Sequence, residues 1–181
     1  MRKIVGTAWM FFALSLASGM ADGVPGSSPQ SVWSKDPLHP DTRFAEAEPG
    51  TVMDRMTGLV WIKNANCWGA ISWDQAQTKI TALNQGHQTC PGYSSTTIQD
   101  WRLPSIQELQ TLVTSTGTPP GLPPGHPFTG FASGFYWASD PSPDFHENGW
   151  DVSMADGTVY HDFKSSTHLV WPVRGTPSGT K

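Results

Sequence analysis

The run Asp100-Trp101-Arg102-Leu103-Pro104-Ser105 constrains this chain more than any other stretch, because it dictates three local outcomes in six residues. Trp101 and Leu103 are two apart, so an extended backbone turns both to one side and Asp100 and Arg102 to the other. Proline lacks an amide hydrogen and ends a paired strand, yet it fits just ahead of a helix. Ser105 and Glu108 have capping-box spacing and predict a helix from Ile106 to Val113, with Ile106, Leu109, Leu112 and Val113 as its apolar stripe. The expectation is a short buried strand, a proline stop and a capped helix. Arg102, between two large apolar residues, is expected to reach a carboxylate, Asp100 or Glu108 being nearest. Asp100, Trp101, Arg102, Glu108 and the similarly embedded Arg174 are therefore read as structural.

The first residues place Arg2 and Lys3 before an apolar run from Ile4 to about Leu16, with Gly19 and Ala21 at the −3 and −1 places of a cut after Ala21. Residues 1–21 read as a secretory signal peptide, the apolar core being too short to span a bilayer. Cleavage leaves no membrane anchor and puts the protein outside the cytoplasm, in the periplasm, on the cell surface or secreted. It also removes two of the 11 basic side chains and none of the 15 acidic ones, leaving a formal charge near −6. That balance argues against a nucleic-acid partner, which requires a basic surface. Two cysteines in an exported chain, Cys67 and Cys90, read as a disulfide.

Residues 22–50, rich in Pro, Ser, Gly and Asp, read as a linker or extended lead-in that docks at Phe44. The domain is expected over 51–175 and a flexible tail over 176–181. Thr51–Asp54 and Leu59–Ile62 flank a polar turn and predict a hairpin in which Asp54 serves the turn. Ser72 and Gln75 form a second capping box ahead of Trp73, Ala76, Ile80 and Leu83, with Gly86 closing that helix. The stretch 114–134 is a long Pro/Gly loop of the kind that is often functional or mobile. Strands follow at 135–139, 149–154, 158–163 and 168–174. Asp156-Gly157 marks a hairpin, and Pro172 an edge or a bulge.

In this order the landmarks resemble the C-terminal domain family of the Legionella collagen-like adhesin. They are Asp54…Thr57-Gly58-Leu59-Val60-Trp61, Trp73…Ala76, Asp100-Trp101-Arg102-Leu103-Pro104…Glu108-Leu109, Tyr136-Trp137-Ala138-Ser139, Asp156-Gly157 and Val173-Arg174-Gly175. The resemblance implies an α+β, C-type lectin-like fold: two helices packed on twisted antiparallel β-sheets, with long loops. It also implies an exported adhesin-like module that binds carbohydrate or surfaces. The closing strand departs from the family by carrying Trp171-Pro172 where many relatives have Arg-Cys, which removes a positive charge and a cysteine.

For chemistry, aromatic rings that stack on sugars or bury against a peptide are the leading candidates: Tyr136, Trp150 and Tyr160, with Asp151 beside them. Tyr93, Phe131 and Phe135 also lie on or beside loops. Asp140, Asp144, Glu147, Asp151, Asp156 and Asp162 are close in sequence, and Ca²⁺ is the ion such oxygen ligands would take. They carry neither the Glu-Pro-Asn nor the Trp-Asn-Asp triplet of sugar-binding C-type lectins, so a solvated acidic surface is expected, with no cofactor and no metal site. His87, His126, His146, His161 and His168 lack metal-ligand spacing. His161-Asp162 could pair for proton transfer, but no nucleophile elbow accompanies it. The reading is a non-enzymatic binding module for glycan or another surface polymer. Its alternative is a protein-interaction subunit of an envelope assembly, and an enzyme using His161 ranks third.

Overall fold

The computed structural model describes residues 43–113, 121–140, 142 and 146–176. Residues 1–21, read above as a signal peptide, most of 22–50, Asp144 and residues 177–181 lie outside the described residues. The fold is α+β, with two helices and two antiparallel sheets among those residues. The first sheet has strands β1 (Phe44–Glu46), β2 (Thr51–Asp54) and β3 (Val60–Ile62), and β3 is joined by β7 (Val173–Arg174). The second sheet runs in sequence order through β4 (Phe135–Trp137), β5 (Asn148–Ser153) and β6 (Val159–Phe163). Helix α1 (Trp73–Asn84) and helix α2 (Ile106–Leu112) come between β3 and β4 in the chain.

Both capping boxes form as their spacing predicts. Ser72 accepts from the Gln75 amide and Ser105 from the Glu108 amide, and each long side chain returns the bond to the cap backbone. These satisfy donors that the first turn cannot satisfy itself. Helix α1 ends as predicted: Gly86 adopts φ +73°, its amide donates to Leu83 and the His87 amide donates to Ala82. The buried stripe Ala76, Ile80 and Leu83 divides between two clusters. Ala76 and Ile80 meet Leu103, Trp137 and Val170, while Leu83 meets Val60, Ile62, Tyr93 and Trp101 beside the Cys67–Cys90 disulfide.

The β2–β3 hairpin has the predicted turn. Asp54 is wholly buried; its Oδ1 accepts the Met56 amide at 3.0 Å and its Oδ2 the Thr57 hydroxyl at 2.9 Å. Arg43 closes the same carboxylate with bonds of 2.9 and 2.6 Å. Order thus begins ahead of Thr51, because Phe44–Glu46 pairs with β2 as an edge strand and Phe44 enters the core.

Three expectations need correction. Around Trp101 the chain forms no extended strand, only one antiparallel bridge in which Arg102 and Val173 exchange both backbone bonds. Trp101 and Leu103 still face inward at 2% and 1% exposure while Asp100 is exposed, so the alternation holds without a ladder. The segment 168–174 is not one strand either. His168 pairs with Ile71 and Leu169 with Tyr136, and past Pro172 the chain pairs Val173 with Trp61. Proline cannot donate, but its carbonyl accepts the Ile62 amide at 3.1 Å, so the segment passes from the second sheet to the first. Finally, the described part of the Pro/Gly loop is packed. Thr129 bonds to Lys63 and Ala65, and Phe128 lies edge-on to Trp171 at 4.7 Å. Apolar anchors at Leu122, Phe128 and Phe131 hold it to the main core around Trp61, Tyr136 and Trp171.

Candidate functional site

Strand β6 is an edge strand, and large side chains that escape the core gather on and beside it. Phe163 is 62% exposed, Tyr160 47% and Phe135 43%; among the described residues the one other exposed large hydrophobic is Met56. Period-two alternation sorts them. Phe135, Trp137, Asp151, Gly149, Tyr160 and Asp162 share one face of the second sheet, as the register pairs Trp137 with Asp151, Asp151 with Tyr160 and Gly149 with Asp162. Trp150, His161, Asn148 and Phe163 belong to the opposite face.

On the first face the Phe135 and Tyr160 rings meet edge-to-face at 5.5 Å. Next to them the His168 imidazole lies 5.6 Å from Phe135 and 4.4 Å from Trp137. His168 Nε2 is 3.3 Å from Asp162 Oδ2 and 3.8 Å from Asp151 Oδ2. Asp151 is 1% exposed, and neither of its oxygens has a hydrogen-bond partner. Burial pushes its carboxyl above the ordinary aspartate value, and the nearby Asp162 charge adds to this against the opposing pull of His168 and His161. Asp162 behaves oppositely: the Phe163 amide donates to it at 2.7 Å and holds its carboxyl low.

Where β6 leaves the sheet, a cleft of about 580 Å³ opens against the start of α1, lined by Ser72, Asp74, Gln75, Glu147, Phe163, Lys164, Ser165 and Thr167. Lys164 sits 4.9 Å over the Trp73 ring and its amine donates to the His146 carbonyl at 2.8 Å. Trp73 is fixed by its indole N–H on the Ala138 carbonyl at 3.0 Å. Hydroxyls, an amide, two acids and one exposed aromatic ring thus surround one open volume. That mixture suits a polyhydroxylated ligand better than an apolar one.

Of the four ligand-contact candidates Tyr136, Trp150, Asp151 and Tyr160, the structure brings Asp151 and Tyr160 together as register partners and places Tyr136 and Trp150 on the other face of the sheet. Tyr136 is fully buried, its hydroxyl accepts the Ala132 amide at 3.2 Å, and burial pushes its pKa up to about 12. It presents no ring face to solvent. Trp150 is half-buried on the other side of the sheet, 5.4 Å from His161. Tyr93 is buried and holds the Trp101 indole at 2.7 Å. His161 and Asp162, adjacent in sequence, fall on opposite faces, so the pairing considered for proton transfer does not form. Asp162 faces His168 instead.

Apart from Asp151 and Asp162, which flank His168, the described acids do not converge. Asp140 accepts the first amide of α2 at 2.6 Å, Asp156 accepts the Thr158 amide inside its turn, and Glu147 borders the cleft. Among the described residues no group of three or more His, Cys, Asp and Glu is disposed to hold a metal ion. Of the residues read as structural, Glu108 accepts from Arg102 at 2.6 and 2.7 Å, and Arg174 lies 3.7 Å from Asp100 and 5.9 Å from the Trp101 ring. Sequence reasoning passed over Phe163, Lys164 and the cleft. The available signal was Phe163 itself, a large aromatic next to charged residues at the end of an edge strand.

Among the described residues no helix is long and apolar enough to cross a membrane. A comparison with curated proteins finds no match. The Lcl C-terminal domain model matches residues 50–174, from the turn before β2 to the end of β7, and the chain belongs to that family of adhesin C-terminal domains.

Proposed function

We propose that this domain is an exported, non-enzymatic attachment module that holds a glycan or another surface polymer. The contact would run around the exposed β6 edge, from the Phe135–Tyr160 face to Phe163 on the opposite face and the cleft it lines. The observation that carries this reading is the gathering of exposed aromatic rings on one small sheet, next to a cleft lined by hydroxyl, amide and carboxylate groups. Rings of this kind offer apolar faces to sugar C–H groups, and the polar lining supplies orientation. Family membership supports adhesion, and the leader-like residues 1–21 support export, with 22–50 as lead-in, 51–175 as the binding domain and 176–181 as tail. Two helices with two antiparallel sheets and long loops support likeness to the C-type lectin fold. A second reading, an interaction subunit of an envelope assembly, draws support from β6 being an edge strand to which an extended partner segment could add.

A glycan and surface-polymer array tests the first reading. The wild type is expected to bind at least one polymer, and Phe163→Ala and Tyr160→Ala to lose roughly tenfold each, the value of about 1.4 kcal/mol. Both rings are solvent-exposed, so melting temperatures should stay close to wild type. Silence across the array, with capture of one defined envelope protein that competes for the β6 edge, would favour the second reading.

A further inference from the structure

Asp151 is the one fully buried carboxylate on the second sheet whose two oxygens both lack a hydrogen-bond partner among the described residues. Asp54 and Glu108, buried to a similar degree, are closed by arginines and backbone amides. Leaving a buried anion unpaired is costly, and the usual resolution is to keep a proton in the site. His168 is placed to share one: its Nε2 also lacks a hydrogen-bond partner, the side chain is 13% exposed, and Asp151 and Asp162 flank it at 3.8 and 3.3 Å.

We infer that Asp151, Asp162 and His168 form a proton-operated latch under the Phe135–Tyr160 face. With a proton in the set, an imidazolium bridges two carboxylates or a neutral Asp151 faces His168, and β4, β5 and the 168–170 segment hold together. Without it, two carboxylates confront a neutral ring with no cation between them. Other charged groups nearby do not replace the proton. His161 acts on Asp151 only at a distance across the sheet, and the Lys164 amine is occupied by the His146 carbonyl. From β4 the neighbours are the uncharged rings of Phe135 and Trp137, and from β6 Tyr160 and Asp162.

The sign follows from linkage. The folded state raises the Asp151 value above the ordinary 3.8, so the folded chain keeps a proton that the unfolded chain gives up. The stabilisation is complete below that ordinary value and is lost as pH rises through the elevated folded value. The latch is closed below the folded value and opens above it. Its effect reaches the surface directly, since Asp151 is the register partner of Tyr160 and His168 touches the Phe135 ring. This goes beyond the proposed attachment role and does not depend on the identity of the ligand.

The test is the melting temperature of the full domain across pH 3–8.5, wild type against Asp151→Asn. The amide is isosteric and cannot ionise, so the variant should gain on the wild type as pH rises, by at least about 5 °C over the range. His126 titrates in both proteins and drops out of the difference. A difference that is flat with pH overturns the latch. Should Asp151→Asn fail to fold, Asp162→Asn takes its place: removing that partly exposed carboxylate relieves its repulsion of Asp151, so the variant should lose less stability than wild type as pH rises, and an unchanged pH dependence overturns the proposal.

Discussion

Arg102 is held by four bonds: two to the Glu108 carboxylate, one to the Leu103 carbonyl at 3.1 Å and one to the Gly175 carbonyl at 2.8 Å. Glu108 is nearly buried, so removing the guanidinium strands a carboxylate inside the protein. Arg102→Ala should cost about 2 kcal/mol, less than a fully buried pair because the arginine remains partly exposed, and lower the melting temperature by roughly 5–10 °C. Arg102→Lys should recover little, since a point charge cannot make both bonds at once. Burial raises the Glu108 value, but bonds from Arg102 and Ser105 outweigh it and hold the carboxyl below 4.5. Its stabilisation is therefore complete above pH 4.5 and fades as pH falls through the lower folded value, a loss that acid titration should show in wild type and not in Glu108→Gln. His126, whose value partial burial beside Phe128 and Phe131 lowers, adds a second loss on the acid side, beginning as pH drops below 6.5. The Arg102–Glu108 pair was legible because its members are six residues apart and one of them caps a helix. Arg43 on Asp54 was not, since nothing local marks a residue eleven positions away as the partner of a turn aspartate.

At the level of elements, local signals carried both helices. A capping box is written in four residues, and each one here formed at the predicted serine. Ser72→Ala should cost about 1 kcal/mol and loosen the wall of the cleft that α1 provides. Gly149 tests the contact between α1 and the second sheet. A Cβ there would come within 2.8 Å of Trp73 Cδ1 and 3.2 Å of Trp137 Cζ3. Gly149→Ala should therefore destabilise by about 1–3 kcal/mol and shift Trp73, visible as a change in tryptophan fluorescence. Strands were less legible than helices. The 168–174 run looks continuous because its residues are β-formers, yet one part of it belongs beside β4 and another beside β3. That division depends on where two distant strands already lie. Tyr136 misled in a similar way: in a three-residue strand whose first ring is exposed and whose next two are buried, neither alternation nor loop proximity predicts which ring reaches water.

For the molecule as a whole, aromatic packing is the main support. Trp171 meets Trp61, Phe128 and Tyr136 at 5.3, 4.7 and 5.9 Å and anchors its indole N–H on Ile62 at 2.8 Å. Trp171→Ala should cost about 3–5 kcal/mol, enough to unfold a marginal domain. The Cys67–Cys90 disulfide closes a loop of sequence separation 23 around α1 and should contribute about 3 kcal/mol on the chain-entropy model. Reduction should accordingly lower the melting temperature by roughly 10 °C. The α+β class, the hairpins and this cross-link were legible from alternation, turn residues and cysteine usage. The sheet order and the cleft were not, because they join residues more than seventy positions apart.

The crossing of residues 168–174 between the sheets has a bearing on biogenesis. Until Val173 has emerged, β3 lacks its outer neighbour and the backbone of Arg102 has nothing to bond. Formation of the β3–β7 pairing and of the Arg102 bridge must therefore wait until residues 173–174 have been made. A protein that has to pass through a narrow export pore before maturing would benefit from that delay.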